Sequence, residues 1–140
     1  MIDYRQTRPE KRAWGELFRT TGWNEEYSLD DGQLHGALEH SWYQVSAYDG
    51  ERLVGYARVI SDGILHALIV EVIVAPEYQG RGIGSHMVAD VVERCLAANI
   101  CDIQLFCARG QAGFYERHGF AARPGEAPGM QYAGTRDRSS

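Results

Sequence analysis

The sequence predicts a mixed α/β domain of the α+β class, in which helices cover both faces of a central, mostly antiparallel sheet. Two observations lead to this class. Apolar and β-branched runs separated by tight turns between residues 42 and 75 predict an antiparallel meander. A strand, a glycine-rich loop and a long helix then follow one another from 70 to 98, which predicts one βαβ unit with a parallel pair of strands.

The chain is predicted to begin with a short strand at residues 2–5, followed by a helix. Residues 7–10, Thr-Arg-Pro-Glu, match a capping box and predict where this helix starts. Gly22 is predicted to end it, and a polar and aromatic loop is expected at residues 23–27. Apolar residues at helical spacing predict the buried face of the helix: Trp14, Leu17 and Phe18.

A second helix and three strands are predicted next. Residues 28–31 have the composition of a helix start. From residue 42 the apolar period changes, so strands are predicted at 42–48 and 53–60 around an Asp-Gly turn, and at 64–75 after a second turn. Pro76 ends the third strand because proline cannot donate to a ladder.

Three glycines at alternate positions follow this strand: Gly80, Gly82 and Gly84. They precede a helix that is predicted to reach about residue 98. Such a loop exposes free N–H groups at a helix N-terminus, which suits an anion, most often phosphate. A P-loop needs Lys-Ser/Thr after its last glycine, and residues 83–85 supply no lysine. The dinucleotide fingerprint needs G-x-G-x-x-G, whereas the spacing is G-x-G-x-G, and Asp102 precedes its strand instead of ending it. Both of these interpretations are therefore weak.

The chain after this helix is predicted to complete the sheet. A strand at residues 103–107 follows the crossover, and a helix at 112–117 ends at Gly119, which suits a left-handed C-cap. Residues 120–123 and 131–133 are predicted to be closing strands on either side of a Pro- and Gly-rich loop.

Length and composition limit the classes of protein to which the chain can belong. Its 140 residues predict a single domain at 1–134 and a polar tail at 135–140. A net charge of −5 argues against a nucleic acid or anionic membrane as partner, and neither a membrane span nor a signal peptide is evident. The three cysteines are Cys95, Cys101 and Cys107, and they lack C-x-x-C spacing. They predict reduced thiols, no metal site and a cytoplasmic location.

Two motifs resemble one known family. Residues 79–84, Gln-Gly-Arg-Gly-Ile-Gly, match the Q/R-x-x-G-x-G/A signature of the GCN5-related N-acetyltransferases, the GNAT superfamily, and residues 72–78 resemble its lead-in strand and turn. Residues 112–120, Ala-Gly-Phe-Tyr-Glu-Arg-His-Gly-Phe, resemble its second hallmark, a helix carrying F-Y-E-x-x-G-F. The close resemblance covers roughly residues 53–123.

The resemblance implies acetyl-CoA, or another acyl-CoA, as co-substrate and no metal. Arg81 would add a charged contact to its pyrophosphate. The main chain of the glycine loop would bind this pyrophosphate through Gln79, Gly80, Arg81, Gly82, Ile83, Gly84 and Ser85. In the family a gap opens between the strand before the loop and the next strand. The pantetheine arm would enter this gap and pair with the first of the two strands at Val72, Ile73 and Val74.

The resemblance also implies catalytic residues. Tyr115 occupies the position at which the family commonly places a tyrosine hydroxyl facing the CoA sulfur, as a general acid, and its alternative is aromatic packing. Glu71, a carboxylate within an apolar run, is the candidate base, either through a water relay or else as a structural partner of an arginine or tyrosine. The glutamate that some members use lies earlier on this strand, where the chain has Leu68, and His66 is the second candidate.

The function implied is N-acetylation of a primary amine on a small molecule, by direct attack on acetyl-CoA through a tetrahedral intermediate. The N-terminal helices, the loop at 23–27 and the loop near residues 129–130 are expected to form the acceptor pocket. Four acidic residues would attract a cationic amine to this region, although acids at helix starts are also common without a ligand: Glu25, Glu26, Asp30 and Asp31. The alternatives are an acyl-CoA-binding sensor with little catalysis, and acetylation of protein N-termini or lysines. Family members often form homodimers.

Overall fold

The structure, a computed structural model of the chain, describes residues 1–134 and divides the chain into two compact units, Met1–Phe106 and a second that begins at Cys107. The proposed tail at 135–140 lies outside the described residues, and the single domain expected at 1–134 stays a prediction. The strands are β1 Ile2–Arg5, β2 Tyr43–Asp49, β3 Arg52–Ser61, β4 His66–Val74 and β5 Asp102–Leu105. The helices are α1 Lys11–Arg19, α2 Asn24–Tyr27, α3 Asp31–Ala37, α4 Ile83–Ala97 and α5 Ala112–Glu116.

The strands of the first unit form one mixed sheet in the order β1-β2-β3-β4-β5. The first four strands pair antiparallel with their neighbours, and β5 pairs parallel with β4 after the crossover through α4. This arrangement confirms the predicted fold class, a mostly antiparallel sheet with one βαβ unit. It also places the glycine-rich loop between β4 and α4, as the sequence predicts.

Helices α1 and α4 cover opposite faces of this sheet. On β3 the indole ring of Trp14, from α1, packs 4.6 Å from the ring of Tyr56, centroid to centroid. The neighbouring Gly55 faces the side chains of Met87 and Ile83, from α4. Because successive residues of a strand face opposite sides, these contacts place the two helices on different faces. The prediction of helices on both faces is therefore confirmed.

The core of this unit has one large aromatic anchor and one apolar helix face. Trp14 is buried, and its indole N–H donates a 3.1 Å hydrogen bond to the Leu34 carbonyl, so the ring is buried without leaving its polar atom unpaired. The buried face of α4 is Met87, Val88, Val91 and Cys95. Burying each such aliphatic side chain stabilises the fold by about 1.5–3 kcal/mol.

Two local predictions near the N-terminus are wrong. The N-cap of α1 is Glu10 without a side-chain bond, so residues 7–10 form no capping box; instead the Thr7 carbonyl accepts a hydrogen bond from the buried Ser46 hydroxyl at 3.0 Å. Residues 24–27 form the short helix α2, not a loop. The Asn24 amide bonds both main-chain groups of Leu29, and Ser28 turns left-handed at φ +56°, which together close that turn.

The predicted closing strands at 120–123 and 131–133 are also wrong, because the structure has no strand in the described residues beyond Leu105. Pro124 and Pro128 offer no N–H to a ladder, and the loop between these segments instead forms a local turn in which the Ala127 N–H donates to the Pro124 carbonyl. The start of α3 is confirmed: Asp30 and Gln33 form a reciprocal capping box.

The contact between Gly55 and α4 generates a stability prediction. A Cβ at Gly55 would lie 3.1 Å from Met87 Cε and 3.2 Å from both Ala47 Cβ and Ile83 Cγ2, so Gly55→Val must displace packed atoms. We expect it to lower the free energy of unfolding in urea by about 1–3 kcal/mol. Gly36→Ala is the control, since no atom lies within 4 Å of its added Cβ. It should leave stability unchanged or raise it by up to about 1 kcal/mol; equal losses for both variants would contradict the packing argument.

Candidate functional site

One edge of β4 is left open next to the glycine-rich loop. The parallel ladder between β4 and β5 ends at the pair Ile69 and Leu105, so β5 covers β4 only from His66 to Ile69. Beyond this point β4 continues to Val74, still paired with β3 on its other side. Within Met1–Phe106, the main chain at 70–74 therefore has an edge that β5 does not satisfy.

The hydrogen bonds to β3 show which residues of β4 face this edge. The Ala75 N–H donates to the Val54 carbonyl at 2.8 Å, so Ala75 directs its main-chain groups towards β3. Because this direction alternates along a strand, Ile73 also faces β3, whereas Val72 and Val74 direct theirs to the open edge. The hydrogen bond that the Val74 carbonyl accepts from the Gln79 side chain agrees with this assignment.

A bulge in β4 lies just before these residues. Pairing steps from Arg58 opposite Val70 to Tyr56 opposite Ile73, so β4 carries one residue more than β3 across this stretch. The bulge contains Glu71, whose φ of +50° lies in the left-handed region. Its carboxylate accepts a 2.5 Å hydrogen bond from Nε of Arg58, a side chain that is itself buried.

The glycine-rich loop presents its N–H groups in an open space. Gly80 and Gly82 have φ of +79° and +84°, and Gly82 is the N-cap of α4. A Cβ built on either glycine would meet no atom within 4 Å. In the part of the chain that the structure describes, no hydrogen bond uses the main-chain N–H groups from 80 to 85. The Gln79 side-chain amide donates to the Val74 carbonyl at 3.1 Å, which joins the loop to the open edge.

Polar contacts fasten this loop to the turn between β2 and β3. The Tyr78 hydroxyl donates to Asp49 at 2.5 Å, and this hydrogen bond raises the pKa of the tyrosine. Arg81 lies over the Tyr78 ring, 4.8 Å from its centroid, and Arg52 lies 5.2 Å from the same centroid while it pairs with Glu77. Arg81 thus supplies positive charge beside the free N–H groups.

Tyr115 lies in the second unit, on α5. Its ring makes edge contacts with Phe114 and Phe120, at centroid distances of 4.9 and 6.1 Å. The side chain is buried, and this burial, with a smaller effect from the Cys107 thiol, raises the pKa of its hydroxyl. The hydroxyl therefore stays protonated across the neutral range.

The residues expected near the acceptor have unequal surroundings. Asp30 caps α3, and Asp31 pairs with Arg19 at 2.5 Å, so both carboxylates have structural partners. Trp23 and Tyr27 expose part of their rings beside the exposed Glu25 and Glu26. The second candidate base, His66, is exposed, with Nδ1 3.9 Å from Asp102. The roles of Tyr115, Glu71 and the loop residues stay predictions.

Sequence reasoning missed Arg58. It lies in β3 within the apolar run Val-Gly-Tyr-Ala-Arg-Val-Ile, at residues 54–60. A charge inside such a run is costly to bury unless it is paired, which is the argument that singled out Glu71 on β4. Applied to both strands, the same signal would have indicated that the two residues are partners.

Two further searches cover the described residues. No helix among residues 1–134 is long and apolar enough to cross a membrane. The same residues contain no group of three or more His, Cys, Asp or Glu side chains that could hold a metal ion. The thiol of Cys95 is buried, whereas those of Cys101 and Cys107 are exposed, and all three are free.

Three curated relatives of this chain are each named as an acetyltransferase. A GCN5-related N-acetyltransferase of Arabidopsis thaliana is 40% identical over 104 residues, which cover 69% of this chain and 40% of that protein. A serotonin N-acetyltransferase of Oryza sativa is 31% identical over 130 residues, covering 90% and 64%. A histone acetyltransferase of Glycine max is 38% identical over 109 residues, covering 70% and 47%. The chain thus spans about half the length of the curated relatives it matches.

Solved structures share the fold. A GNAT-family acetyltransferase of Streptococcus pneumoniae superposes with a TM-score of 0.78 at 26% identity, covering 97% of this chain and all (100%) of the other. A predicted acetyltransferase of Clostridium acetobutylicum, solved with acetyl-CoA, has a TM-score of 0.67 at 16% identity, covering 94% and 96%. The family model for the acetyltransferase (GNAT) domain matches residues 40–122, more than half of the chain. The chain therefore belongs to the GNAT acetyltransferase family.

Proposed function

We propose that this protein is an acyl-CoA-dependent N-acetyltransferase that transfers the acetyl group of acetyl-CoA to a primary amine. The observation that carries the proposal is the continuity of the open β4 edge with the glycine-rich loop. Val72 and Val74 offer main-chain groups to an amide-containing arm, and the loop that follows offers free N–H groups to an anion. Acetyl-CoA has these two parts, pantetheine and pyrophosphate, in the same order.

Two features of the loop support it as the pyrophosphate site. Space for the ligand exists where Gly80 and Gly82 lack a side chain, and the helix dipole of α4 adds positive potential at its N-terminus. Arg81 would add a charge-assisted contact from the rim of the loop. Val72 and Val74 would orient the arm so that its thioester is held beside the bulge at Glu71.

The chemistry needs two proton transfers. An alkylammonium, with a pKa of about 10, must lose a proton before its nitrogen attacks the thioester carbonyl. The tetrahedral intermediate then expels the CoA thiolate, and we infer that Tyr115 donates a proton to this sulfur. The raised pKa of Tyr115 supports the role, since the hydroxyl still carries its proton at neutral pH.

The base that deprotonates the amine is less directly supported. Oε2 of Glu71 is already engaged by Arg58, so this carboxylate would act through its other oxygen or through a water. An imidazole is a chemically suitable base, but His66 lies at the exposed start of β4. We retain Glu71 as the proposed base, acting by relay.

For the acceptor we propose a small-molecule primary amine. The partly exposed rings of Trp23, at the N-cap of α2, and Tyr27, at its end, flank the carboxylates of Glu25 and Glu26 in sequence, a composition that suits a cationic amine with an apolar body. The relative named as a serotonin N-acetyltransferase supports this class. The relative named as a histone acetyltransferase supports the second candidate, acetylation of a protein amine. A cytoplasmic location and a homodimer also remain proposals.

The first test measures thermal unfolding with and without excess acetyl-CoA, followed by thiol release with a panel of amines. A ligand that binds only the folded state raises the melting temperature by mass action, so we expect a rise that grows with acetyl-CoA concentration. Thiol release with small amines supports the first candidate, and release only with lysine peptides supports the second. A rise without turnover on any amine indicates an acyl-CoA sensor. An unchanged melting temperature contradicts the proposal.

A substitution in the glycine-rich loop tests where the pyrophosphate binds. Gly82→Ala places a side chain in the open space at a φ that L-residues rarely adopt, and we expect at least about tenfold weaker acetyl-CoA binding by calorimetry. Gly22→Ala is the matched control, because its φ of +80° and its empty surroundings are the same. The control should lose similar stability yet keep its affinity; a parallel loss of affinity would mean that strain, not the ligand site, is responsible.

Removal of one hydroxyl tests the general acid. Tyr115→Phe should lower kcat by about 10²–10⁴-fold because the thiolate leaves unprotonated, while the dissociation constant for acetyl-CoA stays the same. In the wild-type enzyme the raised pKa of Tyr115 predicts no loss of kcat from this group below about pH 10. Tyr132→Phe, at an exposed tyrosine, is the control. Full turnover in the Tyr115 variant would remove Tyr115 from the mechanism.

A further inference from the structure

We propose that Arg58 is a positioning residue for the cofactor edge: by pairing with Glu71 it holds the β4 bulge, and the bulge decides which main-chain groups face the ligand. The proposal rests on the proposed function for the identity of that ligand, acetyl-CoA. Its structural part concerns only β3, β4 and α3, which belong to the same unit.

Glu71 has a backbone conformation that needs external support. A residue other than glycine is strained in the left-handed region, and such strain persists only where its surroundings enforce it. Within β4, Glu71 adopts this left-handed conformation, with φ +50°. Its side chain is mostly buried, at 23% exposure, and points to the face of the sheet on which Arg58 lies.

Arg58 supplies that support from the neighbouring strand. Its side chain is 9% exposed, so its charge requires a partner close by, and Nε donates to the Glu71 carboxylate at 2.5 Å. The other end of the guanidinium, Nη1, donates to the Ala37 carbonyl at 3.0 Å and lies 3.4 Å from the Ser41 hydroxyl oxygen. Arg58 is therefore fixed by the C-terminal end of α3 and cannot follow Glu71 if β4 relaxes.

The register shows what relaxation would change. Before the bulge Val70 opposes Arg58, and a strand without the extra residue would continue with Val72 opposite Tyr56. In that register Val72 would direct its N–H and carbonyl towards β3, and Ile73 would take its place at the open edge. A slip of one residue inverts every following position. The bulge thus sets the phase of the edge that receives the pantetheine arm, that is, which alternate residues direct their N–H and carbonyl groups outward.

Two double variants separate the bulge from the ion pair. Both carry Arg58→Leu, which removes the guanidinium, and they differ only at position 71. Glu71→Gly places glycine where φ is positive, which glycine adopts at no cost, so the bulge should persist without the pair. Glu71→Val places a β-branched residue there, for which this conformation is an outlier, so the bulge should relax. Arg58→Leu alone is the parent of both.

Amide exchange measured by NMR reports the phase directly. In the wild type the Ile73 N–H should be protected by β3, while the N–H groups of Val72 and Val74 should exchange faster. We expect the glycine double variant to keep this order, and the valine double variant to invert it. If Arg58 contributed to stability alone, all three amides would exchange faster in the variants, and Ile73 would still be the most protected of them.

Acetyl-CoA affinity, measured by calorimetry, reports the consequence. Arg58→Leu and the valine double variant should bind roughly tenfold or more weakly, whereas the glycine double variant should recover to within about threefold of the wild type. Arg12→Gln, which breaks the exposed pair with Glu16, is the control and should bind as the wild type does. If the Arg58 variants do not fold, Glu71→Gly and Glu71→Val alone break the same ion pair from its other side and still differ only in whether position 71 favours the bulge.

The outcomes distinguish this proposal from the proposed function. If the wild type does not bind acetyl-CoA, the proposed function fails, and amide exchange still judges the bulge. If the wild type binds but the glycine and valine variants are equally weak, or equally strong, the positioning role of Arg58 is refuted. Recovery of binding in the glycine variant without recovery of kcat would support both the positioning role and Glu71 as the base.

Discussion

The charge pair between Arg58 and Glu71 is the interaction on which the open edge of this sheet depends. Each charge lies within a largely apolar run of its strand, so each would be costly without the other. Their contact stabilises a left-handed residue in the middle of β4, and that residue moves the following main-chain groups by one position. The two side chains therefore act on the open edge through backbone geometry.

The glycine-rich loop depends on the same strand. The hydrogen bond from Gln79 to the Val74 carbonyl uses a group that faces the open edge only because the bulge lies upstream. Strand, loop and helix thus form one continuous surface in which donors and acceptors are already directed outward. This strand, loop and helix lie within residues 40–122, the range matched by the GNAT family model.

Much of this architecture could be predicted from sequence because its signals are local. The alternation in β2 and β3, the Asp-Gly turn and the spacing of apolar residues in α4 each depend on neighbouring residues only. The bulge could not be predicted, since it results from a contact between residues 13 positions apart on two strands. Thr7 shows the same limit: its carbonyl accepts a hydrogen bond from Ser46, far along the chain, which no local pattern predicts. The segments at 120–123 and 131–133 had apolar character but not the partners that a strand requires.

The contacts of Tyr78 have a consequence for the energetics of ligand capture. Its hydroxyl donates to Asp49, and its ring contacts two guanidinium groups, one of which also pairs with Glu77. These contacts arise when the chain folds, so the loop is preorganised and its conformational entropy is lost before any ligand arrives. Association then has less ordering cost to overcome, and more of the interaction energy with the anion can appear as affinity.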